Sequence, residues 1–354
     1  MHLTTRLLAL VPFFLFASLH MAGQSRLIDG HDGRPIAFAQ IVDERGLTIG
    51  LTDADGRLPH PLKGSRLTVR HLAYKTEELD ASALQAGRDI RLTPLTRTLG
   101  EAVVGNKSCE YVYLRTYFRS YQLNDSCLKY YMDGYADFLI RLRDGKAKRY
   151  ITGLRRLKHP GLTQSDRQRA ASATDKFLTL PYFDDTPLAD CLSRCDQEKT
   201  GNGIRLIMQE GKAVGCITPD TSAHTLRIDY DVLGGVPHEG RLFGYTTRLE
   251  NHIKTETYSY DGTLPTCADL TGRRSYRKLQ YSHKKDTCRQ RVEVTDELFV
   301  LERRMLPARE AKSLAKTAAG RNDQPVLPPG GNTVAPLDAA TERTLREEMT
   351  ADVR

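Results

Sequence analysis

Short runs in which apolar residues recur at every second position, closed by acidic-glycine pairs, punctuate this chain and confine it to antiparallel sheet. Leu67, Val69, His71 and Ala73 alternate with Thr68, Arg70, Leu72 and Tyr74, and Asp32-Gly33, Asp55-Gly56, Asp144-Gly145, Glu210-Gly211 and Asp261-Gly262 sit between such runs. Asp accepts hydrogen bonds from backbone amides ahead of it, and Gly turns the chain at no steric cost. The 354 residues, less a leader and a polar tail, suffice for about two domains. With 16 Tyr, 10 Phe and no Trp, the aromatic content is of the kind that packs a ring while keeping a hydroxyl wet, which suits half-buried strands.

The ends of the chain read differently. His2 and Arg6 make a weakly basic start, and the apolar stretch 7–19 fits a signal peptide core but is short for a bilayer span. We expect a signal peptide over residues 1–24, cleaved between Ala22 and Ser25, and a product exported to the periplasm or outer membrane. No later run of eighteen apolar residues exists, so no transmembrane helix is expected in the mature chain. Residues 308–319 are rich in Ala and Lys and predict a closing helix. Residues 320–354 contain Gln324-Pro325-Val326-Leu327-Pro328-Pro329-Gly330-Gly331 and are expected to be a linker and a disordered tail, with a marginal helix capped by Asp338 as the lesser alternative.

Residues 25–95 carry an ordered set of positions: Gly33-x-Pro35-Ile36 with Ala39, Gly50-x-Thr52-Asp53-x-Asp55-Gly56, Leu67-x-Val69 with Tyr74-Lys75, and Ile90-x-Leu92-x-Pro94. This set resembles the carboxypeptidase regulatory-like domain, and residues 99–104 resemble its exit segment. Ala73 and Leu51 depart from the pattern, where Gly and a hydroxyl residue are usual. The resemblance implies a transthyretin-like β-sandwich that serves as an accessory module without catalytic residues. Residues 96–107 then form a linker. The remaining chain is far too short for the receptor barrel that follows this module in some proteins.

Residues 108–319 are expected to be a second β-rich domain, whose opening over residues 113–135 resembles that of an uncharacterised domain found after such modules. Strand signals run through 111–121, 130–142, 148–157, 204–209, 226–232, 240–247, 253–260 and 292–304. The fold class is therefore mainly β: a small sandwich plus a second antiparallel domain of seven to nine strands, either a half-barrel or another sandwich. Residues 164–172 and 187–196 predict a helical insertion across one side.

The chemistry is sparse. Ten scattered His include no metal-ligand spacing, no Gly-x-Ser-x-Gly elbow is present, and Gly-rich phosphate cradles are missing, so no cofactor is expected. Seven Cys in an exported chain imply disulfides with a thiol left over, and Cys267 with Cys288 is the best single pair. Basic residues cluster at 141–158 and 273–291 and Tyr at 111–135. Arg141, Arg143 and Lys148 with Tyr131 and Tyr135 are accordingly the candidate binding residues. Together with a net charge of +8 they suit an anionic, glycan or lipid-like envelope partner, and export argues against nucleic acid. Two functions compete: a non-enzymatic envelope protein that binds through its second domain, and an envelope hydrolase assembled from distant residues such as Asp133, Asp137, Glu256 and His252.

Overall fold

The computed structural model describes residues 24–62, 64–82, 87–95, 109–161, 176–183, 193–201, 203–285, 289–319, 325–330 and 333–352. The fold is mainly β, with antiparallel sheets. The first six strands are β1 (Arg26–Asp29), β2 (Gln40–Val42), β3 (Thr48–Leu51), β4 (Arg66–Arg70), β5 (Glu77–Asp80) and β6 (Asp89–Leu92). β1 and β6 pair in parallel; β3, β2, β4 and β5 form a four-stranded antiparallel sheet. Leu27 and Leu92 from the pair meet Ile41, Leu67 and Val69 from the sheet in one core, with Ile36 and Tyr74 closing its ends. The acidic turn forms as its sequence predicts: Asp53 Oδ1 accepts from the amides of Asp55 at 3.0 Å and Arg57 at 2.8 Å. Gly56 has φ +73°, and a Cβ there would stand 2.5 Å from the Leu27 carbonyl, so only glycine fits.

The second body is a single sheet of twelve strands. Its strands are β7 (Tyr111–Asn124), β8 (Cys127–Arg141), β9 (Ala147–Lys158), β10 (Asp196–Lys199), β11 (Arg205–Gln209), β12 (Lys212–Asp220), β13 (Thr225–Asp231), β14 (His238–Leu242), β15 (Tyr245–Ser259), β16 (Leu270–His283), β17 (Gln290–Leu306) and β18 (Thr350–Ala351). They are ordered β10-β11-β12-β13-β15-β16-β17-β7-β8-β9-β18, with β14 added to β15. The number exceeds the expected seven to nine because β10 and β18 are short and polar, and β12 and the basic strand β16 lie outside the runs of strand signal.

Alternation gives the sheet two distinct faces. Leu114, Phe118, Phe138, Leu226, Ile228, Leu270 and Leu298 form an apolar inner face. Between β9 and β10 the chain passes from one side of the sheet to the other, and residues 176–183 cross the inner face as a strap. Arg149 on β9 donates to the Pro181 carbonyl at 2.5 Å, and Arg273 on β16 donates to the Tyr182 carbonyl at 2.9 Å. In a flat sheet those strands would stand about 19 Å apart, at about 4.8 Å per strand. The two arginines thus hold adjacent carbonyls of the strap from strands four places apart in the sheet. The described strap residues carry no helix or strand. The first expected helix, 164–172, lies outside the described residues; of the second, 187–196, the described residues are Ser193 and Arg194, which are helical, Cys195, and Asp196, which opens β10.

The outer face carries the small sandwich, the closing helix α1 (Ala308–Ala319) and the C-terminal segment with α2 (Ala339–Glu347). Here the described tail residues correct the expectation of disorder. Val334 and Ala335 are buried with Tyr117 and Phe299, while Leu337, Leu345 and Met349 cover Tyr121, Leu123, Leu128 and Tyr131. Asp338 caps α2 by accepting from the Thr341 amide at 2.9 Å, and β18 pairs with β9. Burial against an aromatic sheet face supplies what this polar tail lacks by itself. The expected signal peptide and the 96–107 linker lie outside the described residues, apart from Gln24.

Candidate functional site

Where the small sandwich meets the outer face, the contact is built from buried charge. Glu297 accepts from Arg119 at 2.5 Å and stands 3.5 Å from Arg274; Arg70 pairs with Asp338 at 3.1 Å; Asp229 receives Arg227 at 2.8 Å. His71, at the end of β4, points Nε2 at Asp229 Oδ1 at 2.9 Å while its Nδ1 accepts from the Ala73 amide at 3.1 Å. The accepting Nδ1 fixes the tautomer with the proton on Nε2. Burial would push the Asp229 carboxyl up, but Arg227 and His71 outweigh it and hold it below the usual range. Burial holds the His71 imidazole below its ordinary value, so the ring is neutral.

Cys216 lies 3.9 Å from Asp229 Oδ2, which places a thiol, a carboxylate and an imidazole together. This group is not a nucleophilic site. Burial pushes the Cys216 thiol up to about 12, so the thiolate is not formed at neutral pH. The carboxylate also stands between sulfur and ring, and Cys216 and His71 are both sealed from solvent.

Beside this contact opens a crevice of about 1290 Å³. One wall is the sandwich, through the turn after β1 and Tyr74; the other is the outer face of β12, β13 and β15, the start of β16, and the turns that join them. Thr218, Thr257, Ser259 and Thr271 bring hydroxyls from β12, β15 and β16, with the rings of Tyr74 and Tyr260 and the guanidinium groups of Arg34 and Arg303 around them. The carboxylates are already engaged in local structure. Asp220 accepts from the amides of Ser222 and Ala223, both at 2.9 Å; Asp261 accepts from Thr263 at 2.9 Å; and Asp269 accepts from the Thr266 amide at 2.8 Å and faces Arg303 at 3.4 Å. The Thr263 hydroxyl and amide hold the Asp261 carboxyl below its usual range. At Asp220, burial pushes upward but the turn amides and the Ser222 hydroxyl prevail. Neither carboxyl is poised to donate a proton at neutral pH.

A smaller cavity of about 110 Å³ lies under the strap on the inner face. Arg273 pairs with Glu256 at 2.6 Å and Arg277 with Asp296 at 2.8 Å, and both arginines also hold strap carbonyls. His252 contacts the Ser275 hydroxyl at 3.3 Å, and burial together with Lys254 and Arg277 pulls its imidazole down to about 4. These groups anchor the strap.

The structure scatters the residues singled out from sequence. Glu256 and His252 project from the inner face, while Asp133 and Asp137 project from the outer face, so the four do not converge on one substrate. Asp133 is instead held by Arg155, at 2.8 and 2.7 Å, and by the Tyr117 hydroxyl at 2.8 Å. Arg141 pairs with Asp144 at 2.6 Å in the β8–β9 turn, Arg143 is exposed beside it, and the Lys148 ammonium lies over the Tyr150 ring. Tyr131, ten residues along β8 from Arg141, is about 33 Å away. It is buried under the tail, and the Tyr135 hydroxyl donates to the Leu327 carbonyl at 2.5 Å, so the five residues form no single site. Cys267 is unbridged in the turn before β16, whose far end is His283; Cys288 lies outside the described residues.

The crevice residues gave no signal in the sequence, because isolated Thr and Ser in strands read as ordinary β-formers. Among the described residues no three His, Cys, Asp or Glu side chains are grouped to hold a metal ion, and no helix is long and apolar enough to cross a membrane. No family model matches the chain, and no curated protein matches it. Among solved structures, one described as lipid-protein interactions in lipovitellin aligns with a TM-score of 0.23 at 10% identity, over 57% of this chain and 26% of that one.

Proposed function

We propose that this chain is a non-enzymatic binding protein of the cell envelope and that its ligand is a hydroxyl-rich, glycan-like molecule held in the crevice between the small sandwich and the large sheet. The observation that supports this reading is the lining of the crevice. Hydroxyls on several strands offer donors and acceptors along the crevice, Tyr260 offers a ring face, and Arg34 and Arg303 favour acidic substituents. Its carboxylates are committed to turns and ion pairs, which leaves no acid and base aimed at a common point. Export rests on the apolar stretch 7–19, and the small sandwich serves as one wall in the manner of a carboxypeptidase regulatory-like accessory module.

Calorimetric titration of the mature protein with neutral and acidic oligosaccharides tests this. Binding is expected without turnover, and Arg303→Ala is expected to weaken acidic ligands about tenfold, the loss of a charge-assisted hydrogen bond. Release of monosaccharide or peptide products, or silence across the oligosaccharide panel, would remove the proposal.

A further inference from the structure

At the end of the sheet where β14 turns into β15, two apolar side chains stand in solvent. Phe243 is 88% exposed and Leu242 67%, and every residue of β14 is exposed, so this ribbon projects from the body. The turn itself is costly. Phe243 has φ +49° and Gly244 φ +82°, the two positive φ values of a type I′ turn, whose first position favours Asn, Asp or Gly. A bulky aromatic at positive φ is strained, and its near-complete exposure returns nothing to folding.

The ribbon is braced at its root. Tyr245 stacks on Tyr281 with ring centroids 5.5 Å apart and lies 4.6 Å from the His283 ring, and the Lys284 amide donates to the Gly244 carbonyl at 2.8 Å. That bond sets the exposed Lys284 and Lys285 alongside the turn. Arg241, Arg248 and Arg289 add positive charge. Against them stand Glu239, which pairs with Arg241 at 2.9 Å, and Glu250, which accepts from Gln280 at 2.6 Å.

We infer that this ribbon is a membrane-docking finger, which sinks Phe243 and Leu242 into the surface of an anionic bilayer while Lys284 and Lys285 meet the head groups. A convex apolar tip rimmed by cations matches a bilayer interface, where rings bury among acyl chains and ammonium groups stay with phosphates. A protein partner would instead need an acidic socket shaped to the tip. The finger stands apart from the crevice and does not depend on what the crevice binds.

The absence of tryptophan makes the test direct, because Phe243→Trp places the chain's one indole at the tip. With phosphatidylcholine vesicles containing about one third phosphatidylglycerol, the emission of the full mature chain carrying Phe243→Trp is expected to shift to the blue. Affinity is expected to exceed that for phosphatidylcholine alone by about tenfold and to fall as salt is raised. Phe243→Asn suits the turn, so it should melt no lower than the parent yet sediment with anionic vesicles about tenfold less well; Lys284→Glu with Lys285→Glu should weaken sedimentation as much. Unchanged emission with anionic vesicles overturns the proposal. So does a Phe243→Asn protein that sediments like the parent, or one that keeps vesicle binding but loses a protein partner.

Discussion

Asp229 and Glu297 show at the level of single residues how this molecule uses charge as internal structure. Each is sealed from water and each is met by cationic or imidazole groups from more than one strand, which repays part of the cost of burying a carboxylate. Two histidines were left neutral by the same burial. His71 and His252 both lie below the ordinary imidazole value of about 6.5, the latter at about 4. The folded state therefore takes up fewer protons than the unfolded chain between those values, and the stability they contribute is complete above pH 6.5 and lost as pH falls toward 4. Urea titrations at pH 7 and pH 5 should show lower stability at pH 5, with His252 contributing a loss of about 1–2 kcal/mol. His252→Gln should remove its share of that loss. A stability that is level across this interval, or a His252→Gln slope equal to the parent's, would show that the imidazoles are not held neutral.

Among the elements, those with strong alternation were readable in advance and those whose stability is borrowed were not. β7, β8 and β17 are long runs rich in aromatic and aliphatic residues, and the sequence shows them. The tail has no such run: Val334, Leu337, Leu345 and Met349 are spaced singly among polar residues, and only the aromatic face they cover gives them a partner. Its contribution is measurable. Ending the chain after residue 324 uncovers Tyr121 and Tyr131 and leaves the buried Arg70 guanidinium without Asp338. Lost apolar burial and an orphaned charge together are expected to cost at least about 3 kcal/mol, read as a lower melting midpoint with new binding of a hydrophobic dye. A truncated protein that melts with the full chain would mean that the tail merely rests on the sheet.

For the whole molecule, the sequence divides the chain more sharply than the structure does. The turn signals of residues 25–95 suggest a self-contained module, and the apolar residues of its strands share one core, but Arg70, His71 and Tyr74 read locally as one strand and its turn. Their partners, Asp338, Asp229 and Arg227, lie more than a hundred residues away, and no local spacing records such pairing. The crevice was hidden for the same reason, since its two walls come from different bodies. This contact makes a prediction about cooperativity. If sandwich and sheet were independent, calorimetry would resolve two unfolding transitions. Separation, however, leaves Asp229, Glu293 and Arg274 without the groups that the sandwich supplies, namely His71, the Thr48 amide and Gln40. A hydrogen bond to a charged group is worth about 1.5–3 kcal/mol, so losing three together removes a large fraction of the stability of an ordinary domain. The mature chain is therefore expected to unfold in one calorimetric transition whose van't Hoff and calorimetric enthalpies agree. His71→Ala with Gln40→Ala should lower that transition without splitting it, whereas two resolved transitions in the parent protein would show that the bodies are joined only by their linker.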